Sequence, residues 1–431
     1  VTMGTVELQL RDQIAKRWYR EIMKKTAVGR AAYRVTRRLK NRLKRFLLPA
    51  SLFENMGFTY LGPVDGHDLP GLISLLTTAK GLAEPVVVHV VTKKGCGYRF
   101  AEEDPAKFHG IGAFDPETGK KLAKKITSYS DSFGEAVMEL AQKDDRICAI
   151  TAAMPGGTGL LKFMREYPKR FFDVGIAEEH AVTLAAGLAA GGVRPYFAVY
   201  STFLQRGYDQ MIHDVALQNL PVVFLCGHAG LVGEDGATHH GIFDLSYCSH
   251  IPNLRILAPS CAEELGEMIR WSIHADGPVV IRYPKSCCSA MHNIVGLEKG
   301  AWQVVSLAHK ARAVLFAAGS MVAQAMIAAD TLALEGIDVE VVNCRQIKPL
   351  PDRMLEKYAY LPIVTLEENS VIGGFGALVS LRYEQLGHSV RLLPVGIGDE
   401  FVQHGTRTQL LKDSGLDAAG ICDKIREFIG A

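Results

Sequence analysis

Short apolar runs rich in β-branched residues recur along most of the chain and alternate with helical stretches. The first series of runs occupies residues 86–91, 147–151, 197–200, 222–226, 255–258 and 279–283. A second series occupies residues 314–318, 339–342, 363–366 and 390–395. Such alternation is typical of parallel sheets covered by helices on both faces. The pattern therefore predicts an α/β fold.

Two stretches interrupt the alternation and predict domain boundaries. Residues 115–125 are polar and rich in Lys, and the apolar periodicity lapses again over residues 286–299. A chain of 431 residues, of which 48% are hydrophobic, is long enough to bury more than one core. We therefore expect three domains, over residues 1–125, 126–292 and 300–431.

The chain opens with a basic stretch that has the spacing of an amphipathic helix. From Arg11 to Arg45 there are fourteen Lys and Arg but only two acidic residues, and apolar residues recur every four positions from Val35 to Leu47. One interpretation is a solvated helix that packs on a larger domain through this apolar stripe. The other is a surface that binds an anionic partner.

Overall charge and cysteine usage exclude several classes of protein. The 48 basic and 46 acidic residues leave a formal charge of +2, so we expect neither nucleic acid nor an anionic membrane as a partner. The nine cysteines are scattered and show no C-x-x-C spacing, which favours reduced thiols in a cytoplasmic protein over a zinc site or a disulfide framework. No stretch approaches the roughly 20 apolar residues of a membrane helix.

Candidate functional residues are sought just after the apolar runs, because ligands of parallel α/β sheets bind beyond the carboxyl ends of the strands. Glu178 and Glu179 open a stretch of small residues that reads as a helix. An acid in the first turn of a helix is favoured by the helix dipole, so Glu178 on its own is also explained as an ordinary helix-start residue.

A second candidate is the glycine-rich segment 230–241, which follows another apolar run. Its glycines allow the backbone to approach a ligand closely. His239 and His240 lie beside acids and could exchange protons near neutral pH. A structural turn with exposed imidazoles explains the same residues.

Longer motifs resemble a known enzyme family. They are IAEEHAV at 176–182, YSTFLQRGYDQ at 200–210, HDVALQNLP at 213–221 and DGATH at 235–239. Further matches are LGPVDGHD at 61–68, TKKGCGY at 92–98, FHG at 108–110 and GDEFVQHG at 398–405. On these motifs the chain resembles the deoxyxylulose-phosphate synthase family over essentially its whole length.

The resemblance implies a transketolase-like fold, with parallel-sheet thiamine-diphosphate-binding domains and a C-terminal α/β domain that has a mixed sheet. It implies thiamine diphosphate and Mg²⁺ as cofactors, pyruvate and glyceraldehyde 3-phosphate as substrates, and a homodimer. The implied reaction decarboxylates pyruvate and transfers its two-carbon unit to the triose phosphate. That reaction is the first step of the methylerythritol phosphate route to isoprenoids and supplies a precursor of thiamine and pyridoxal.

The resemblance also assigns roles to single residues. Glu178 matches the glutamate that hydrogen-bonds the aminopyrimidine ring of the cofactor, and a carboxyl group in an apolar crevice favours sharing a proton with that ring. Phe203 matches the aromatic residue that stacks on the same ring. The other matched positions are Tyr98 and Lys94 for cofactor binding, His239 and His109 for proton transfer, and Tyr200, Arg206 and Asp235 for substrate binding.

Two positions depart from the family pattern. The family carries arginines that anchor the triose phosphate where this chain has His228 and Lys285. Both side chains can contact a phosphate, and we expect them in the substrate pocket. Neither reproduces a bidentate guanidinium contact, so a different aldehyde acceptor is an alternative.

A larger departure concerns the metal. The family binds the Mg²⁺ and the diphosphate through a Gly-Asp-Gly motif and a downstream asparagine, and this motif does not occur in the 431 residues. We therefore expect no metal ligands here, and we expect the chain alone to bind thiamine diphosphate poorly. Alternatives are an inactive regulatory chain or fragment and the β subunit of a 2-oxo-acid dehydrogenase, although the latter does not explain residues 1–125.

Overall fold

A computed structural model describes residues 52–122, 128–286, 296–297 and 301–430 of the chain. These residues belong to two compact units, Val1–Lys125 and Ile126–Ala431, each of which is described by itself. The basic stretch from Arg11 to Arg45 and the cysteine pair at 287 and 288 lie outside the described residues. Among the described helices, none combines the length and apolar character that a membrane crossing requires.

The first unit is built on a pair of parallel strands, β1 (Thr59–Asp65) and β2 (Val86–Val91). Helix Leu69–Lys80 connects them and begins where the Asp68 side chain accepts a hydrogen bond from the Gly71 amide. His67 accepts a hydrogen bond from the Lys93 amide at 2.8 Å, so the DGHD motif ties together the segments that follow the two strands. The unit also contains helices Leu52–Asn55 and Arg99–Glu103 and a short antiparallel pair, β3 (Phe114–Asp115) and β4 (Lys120–Lys121).

The second unit contains two larger sheets. Its strands are β5 (Ile147–Thr151), β6 (Phe171–Asp173), β7 (Arg194–Tyr200), β8 (Val223–Gly227), β9 (Arg255–Leu257), β10 (Val279–Arg282), β11 (Gln303–Ser306), β12 (Ala313–Ala317), β13 (Val339–Asn343), β14 (Gln346–Lys348), β15 (Ile363–Ser370) and β16 (Leu392–Ile397). The first sheet has the order β14-β9-β10-β8-β7-β5-β6 and is parallel except for β14. The second has the order β11-β13-β12-β15-β16 and is mixed, because β11 runs antiparallel to β13.

Helices cover the faces of these sheets, as the alternating pattern requires. They are Tyr129–Lys143, Leu161–Glu166, Glu178–Ala190, Ser201–Leu204, Tyr208–Gln210, Asp244–Ser249, Ala262–Ser272, Met321–Leu334, Asp352–Tyr358, Phe375–Gln385, Arg407–Asp413 and Ala418–Ile429, with short 3₁₀ turns at Pro168–Arg170 and Gln205–Gly207 and a π-helical turn at Met211–Ala216. Strands β5, β8, β10 and β12 are buried along their whole length. Such strands lie between two helical layers and read as continuous apolar runs.

The two sheets of the second unit share one hydrophobic core. Phe224 and Ile256 of the first sheet belong to the same buried cluster as Phe316 of the second. Trp302 joins them, because its ring lies 4.8 Å from that of Phe316 while its indole N–H donates to the Gln346 carbonyl at 2.8 Å. The C-terminal sheet is therefore rigidly packed against the sheet that carries most of the candidate residues.

The transketolase-like α/β architecture predicted from the sequence is confirmed, including the mixed sheet of the C-terminal part. Each of the ten predicted apolar runs overlaps an observed strand. Three strands of the large sheets were not predicted, namely β6, β11 and β14. Seven of the nine cysteines lie among the described residues, where all seven are free thiols and six are buried.

Candidate active site

The candidate residues of the second unit lie at the carboxyl ends of its parallel strands. Strand β6 ends at Asp173 and leads into helix Glu178–Ala190, β7 ends at Tyr200 and leads into helix Ser201–Leu204, and β8 ends at Gly227. Because β8, β7, β5 and β6 are consecutive parallel strands of the sheet, these connections meet at one edge. The architecture therefore brings together segments that are well separated in the sequence.

Glu178 is buried at the start of its helix. Only 2% of its surface is exposed, and its Oε2 atom has no hydrogen-bond partner. The nearest base is Arg206, whose Nε lies 3.3 Å from that oxygen, within ion-pair distance but without hydrogen-bond geometry. An acceptor buried without a hydrogen bond costs free energy unless a ligand supplies a donor. Glu178 is therefore the strongest candidate for contact with a bound molecule.

Arg206 bridges two consecutive glutamates. Besides its contact with Glu178, its guanidinium donates to Glu179 Oε1 at 3.2 Å. Arg206 was expected to bind an anion of the substrate, and its interaction with the two glutamates was not foreseen. The expected substrate role stays a prediction.

Four ring side chains form a cluster at the end of β7 and on the segments that follow β7 and β8. The Tyr200 ring is stacked on Phe203 at 5.9 Å between centroids and on His228 at 3.7 Å. His239 meets Phe203 edge to face at 5.5 Å. Burial raises the pKa of the Tyr200 hydroxyl. The cluster offers a flat, mostly apolar surface of the kind that binds an aromatic ligand.

His228 is neutral and has an unusual backbone conformation. Its φ of 56° lies in the left-handed region, which is uncommon for a residue other than glycine. Burial, reinforced by the nearby Lys285 ammonium, lowers the pKa of His228 to about 4. At pH 7 the imidazole therefore carries no positive charge into the site.

Lys285 and Asp235 form an ion pair at the same site. The hydrogen bond from Lys285 holds the pKa of Asp235 below its usual range, so Asp235 is an anion at neutral pH. Both side chains are partly exposed. The positive charge of Lys285 is consequently offset within the site.

The glycine-rich segment 230–241, called the glycine loop from here on, has a closed base. The Gly230 amide donates to the Gly241 carbonyl at 2.7 Å, and the Gly241 amide donates to the Gly230 carbonyl at 2.8 Å. Near its tip, the Thr202 hydroxyl donates to the Thr238 carbonyl at 2.9 Å. This bond fixes the neighbour of His239 to the segment that carries Phe203.

One contributor to the site was missed by the sequence analysis. A Cβ atom added to Gly157 would lie 1.8 Å from the Tyr200 hydroxyl oxygen, so this position accepts only glycine without rearrangement. Gly157 belongs to the connection after β5, the strand between β6 and β7. The pair Gly156-Gly157 in the connection after a buried strand was the available signal.

The other three candidate residues belong to the first unit. Tyr98 lies in an aromatic cluster with Phe100, Phe108 and Phe114, and its hydroxyl donates to the Pro116 carbonyl at 2.8 Å. His109 and Lys94 are exposed on this unit. The cofactor and proton-transfer roles expected for these three stay predictions.

Three family models match the chain. "1-deoxy-D-xylulose-5-phosphate synthase" matches residues 2–92, "Transketolase, pyrimidine binding domain" matches residues 125–289, and "Transketolase, C-terminal domain" matches residues 302–421. Together they account for nearly all of the chain. Within the described ranges, no three His, Cys, Asp or Glu side chains cluster so as to hold a metal ion.

Curated relatives of this chain include enzymes named 1-deoxy-D-xylulose-5-phosphate synthase. The 1-deoxy-D-xylulose-5-phosphate synthase of Clostridium tetani (strain Massachusetts / E88) is 46% identical over 405 residues, which cover 93% of this chain and 65% of that protein. The enzyme of the same name from Pelotomaculum thermopropionicum is 48% identical over 414 residues, covering 94% of this chain and 65% of that protein. The chain thus spans 65% of the length of these relatives.

Among solved structures, a similar one is titled "Split gene transketolase, inactive beta4 tetramer". It is 28% identical, has a TM-score of 0.64, and the alignment covers 70% of this chain and 98% of that one. The part of this chain that is similar therefore corresponds to nearly the whole of that chain.

Proposed function

Because this chain belongs to the 1-deoxy-D-xylulose-5-phosphate synthase family, we propose that it forms the pyrimidine-binding and C-terminal parts of a thiamine-diphosphate-dependent transferase. The proposed reaction joins pyruvate, with loss of carbon dioxide, to glyceraldehyde 3-phosphate or a related aldehyde. Such an enzyme would serve isoprenoid and thiamine biosynthesis in the cytoplasm. We retain the proposed domain bounds of 1–125, 126–292 and 300–431.

The observation that carries this proposal is the buried Oε2 atom of Glu178, which has no hydrogen-bond partner, together with a cluster of stacked rings at the same edge of the sheet. An aminopyrimidine ring fits such a site, since it offers a ring nitrogen that can share a proton with a carboxyl group and a flat face that can lie on Phe203. When bound, thiamine diphosphate supplies the nucleophilic carbon for the reaction. Glu178 would hold and exchange the proton at the ring nitrogen.

The neighbouring residues have complementary tasks. Phe203 would orient the pyrimidine ring, and Tyr200 would hold Phe203 in place by stacking on its ring. His239 lies edge-on to Phe203 and would move a proton to or from the reacting groups. From the family resemblance, Tyr98 and Lys94 are proposed to bind the cofactor and His109 to transfer protons.

The metal and the diphosphate need oxygen ligands, which the family supplies from a Gly-Asp-Gly motif. We propose that a Gly-Asp-Gly segment not contained in these 431 residues supplies them to Mg²⁺. The split-gene transketolase offers a precedent, because its title describes that chain, when assembled with itself as a β4 tetramer, as inactive. Homodimerisation is proposed from the resemblance to the deoxyxylulose-phosphate synthase family.

Binding of thiamine, which lacks the diphosphate group, tests the pyrimidine-binding part of the site. We expect isothermal titration calorimetry on the 431-residue chain to show saturable thiamine binding without added Mg²⁺. Phe203→Ala should weaken it about tenfold, because it removes an aromatic stacking contact.

Phe401→Ala serves as the matched control, since Phe401 is 74% exposed and lies outside the ring cluster. It should leave thiamine binding unchanged. A chain that does not bind thiamine, or that binds it equally well without the Phe203 ring, would contradict the proposed function.

The acceptor side of the site carries little free positive charge. His228 is neutral at pH 7, Lys285 is paired with Asp235, and Arg206 is paired with glutamates. None of these three bases therefore offers an uncompensated positive charge to a phosphate. A triose phosphate would be held more weakly here than by two arginines.

Restoring the arginines should strengthen phosphate binding. In the assembled enzyme, the double variant His228→Arg/Lys285→Arg should lower the KM for glyceraldehyde 3-phosphate about tenfold, as charge-assisted hydrogen bonds replace neutral or compensated groups. Steady-state kinetics would measure this effect. The KM for pyruvate and the rate with unphosphorylated glyceraldehyde serve as internal controls, and an unchanged KM for the triose phosphate would refute the assignment of these two positions.

A further inference from the structure

Two consecutive glutamates of the C-terminal sheet, Glu367 and Glu368 of strand β15, are completely buried. Successive side chains of a strand point to opposite faces, so the two carboxyl groups have different surroundings. Buried carboxylates are costly unless several donors satisfy them. Their partners therefore indicate what each glutamate does.

Glu368 binds the base of the glycine loop. Its Oε1 accepts a hydrogen bond from the Leu231 amide at 2.8 Å. Its Oε2 accepts from the Ser320 hydroxyl at 2.6 Å and from the Arg407 guanidinium at 2.5 Å. Contact with the loop is tight, because a Cβ atom added to Gly230 would lie 2.5 Å from the carboxyl carbon of Glu368.

The other side of the loop base is also held by the C-terminal part of the chain. His240 accepts a hydrogen bond from the Val232 amide through Nδ1, so its Nε2 donates to the Gln403 carbonyl at 3.1 Å. His239 directly precedes this anchor. The position of His239 over the Phe203 ring is thus determined partly by residues more than 120 positions away in the sequence.

We propose that Glu368 is a positioning residue, which holds the Leu231 amide so that the glycine loop keeps His239 against the Phe203 ring. The C-terminal sheet would then act on the candidate active site without contributing a group that touches the ligand. Only the catalytic consequence rests on the proposed function of His239, whereas the placement of the loop is measurable without cofactor or substrate.

Glu367 provides a matched control on the same strand. Its carboxyl group accepts hydrogen bonds from the Phe375 and Gly376 amides at 2.6 and 2.8 Å. It therefore caps helix Phe375–Gln385 and does not bind the glycine loop. Replacing either glutamate by Ala removes the same volume and the same buried carboxylate, but only one replacement removes the loop contact.

NMR of ¹³C-labelled histidine rings in the full chain distinguishes displacement of the glycine loop from a general loss of stability. The ring protons of His239 should carry the ring-current shift of Phe203, and the His239→Gln variant identifies their signal. In Glu368→Ala we expect this signal to move towards that of His213, whose side chain is exposed. In Glu367→Ala we expect it to stay, although both variants should unfold at lower urea concentration than the wild type.

Glu368→Gln should rescue the loop. Its amide oxygen can still accept from Leu231, while its NH₂ group can donate to Ser320 and the partly exposed Arg407 can turn towards water. The His239 signal should therefore return to its wild-type position although the ion pair is lost. This result would not be expected if Glu368 acted only through global stability.

An unshifted His239 signal in folded Glu368→Ala would overturn the proposal, as would an equal shift in Glu367→Ala. Should the Ala variant not fold, Glu368→Asp replaces it, because Asp keeps the charge for Arg407 but is one methylene too short to reach Leu231 as well. The Asp variant should displace the His239 signal, and a wild-type signal there would equally overturn the proposal.

Discussion

Glu178→Gln is expected to lower the turnover of pyruvate by the assembled enzyme about 10²–10⁴-fold, the range typical of losing an acid–base group. Glu178 is buried, and its Oε2 atom lacks a hydrogen bond. Glutamine has the same shape and still forms hydrogen bonds, but it cannot exchange a proton with a ring nitrogen. Steady-state assays of pyruvate consumption would measure the loss, and thiamine calorimetry would show whether binding persists.

Glu179→Gln is the matched control for this experiment. Glu179 is the next residue of the same helix and also contacts Arg206, at 3.2 Å, but its side chain is 42% exposed. Losing its charge should change turnover by no more than a few-fold. If the Glu178 variant retained turnover within a few-fold of the wild type, or if both variants lost it equally, Glu178 would not have the proposed role.

The buried strands were predictable because each is a continuous apolar run between two helical layers. Every position is buried in Ile147–Thr151 and in Val279–Arg282. A continuous apolar run in the sequence predicts such a strand directly. By contrast, β14 consists of Gln346, Ile347 and Lys348. So short a strand forms only because it pairs with the edge of a sheet belonging to the preceding domain. The local sequence pattern does not predict such a pairing.

The same distinction applies to the candidate site. Composition pointed to Glu178 and to the glycine loop as candidates, and family resemblance supplied the roles. The contacts that define their environment are long-range, since Asp235 pairs with Lys285 and Leu231 with Glu368. Neither pairing could be inferred from one sequence, because side chains that meet in the folded chain need no particular spacing along it.

Beneath the glycine loop, a buried ion pair connects three parts of the second unit. Arg282, at the end of β10, donates to Asp244 through Nε at 2.8 Å and through a terminal nitrogen at 3.1 Å. The same terminal nitrogen donates to the Glu368 carbonyl at 3.2 Å. Asp244 begins the helix that follows the loop. This network therefore links the pyrimidine-binding sheet, the loop and strand β15.

Asp244→Asn should destabilise the chain by about 3–5 kcal/mol, the usual effect of leaving one member of a buried pair without its counter-charge. The side chains of Arg282 and Asp244 are only 4% and 1% exposed, so water cannot replace the lost partner. Urea denaturation followed by circular dichroism would measure the change in stability.

Two comparisons test whether burial causes this loss of stability. The solvent-accessible pair of Arg426 and Glu335 is also bidentate, at 2.9 and 2.7 Å, yet Glu335→Gln should cost far less stability because solvent screens the charges. The double variant Asp244→Leu/Arg282→Met should recover much of the stability lost in Asp244→Asn, since it removes both buried charges. Equal losses at the two pairs would mean that burial does not determine the cost of breaking the Arg282–Asp244 pair.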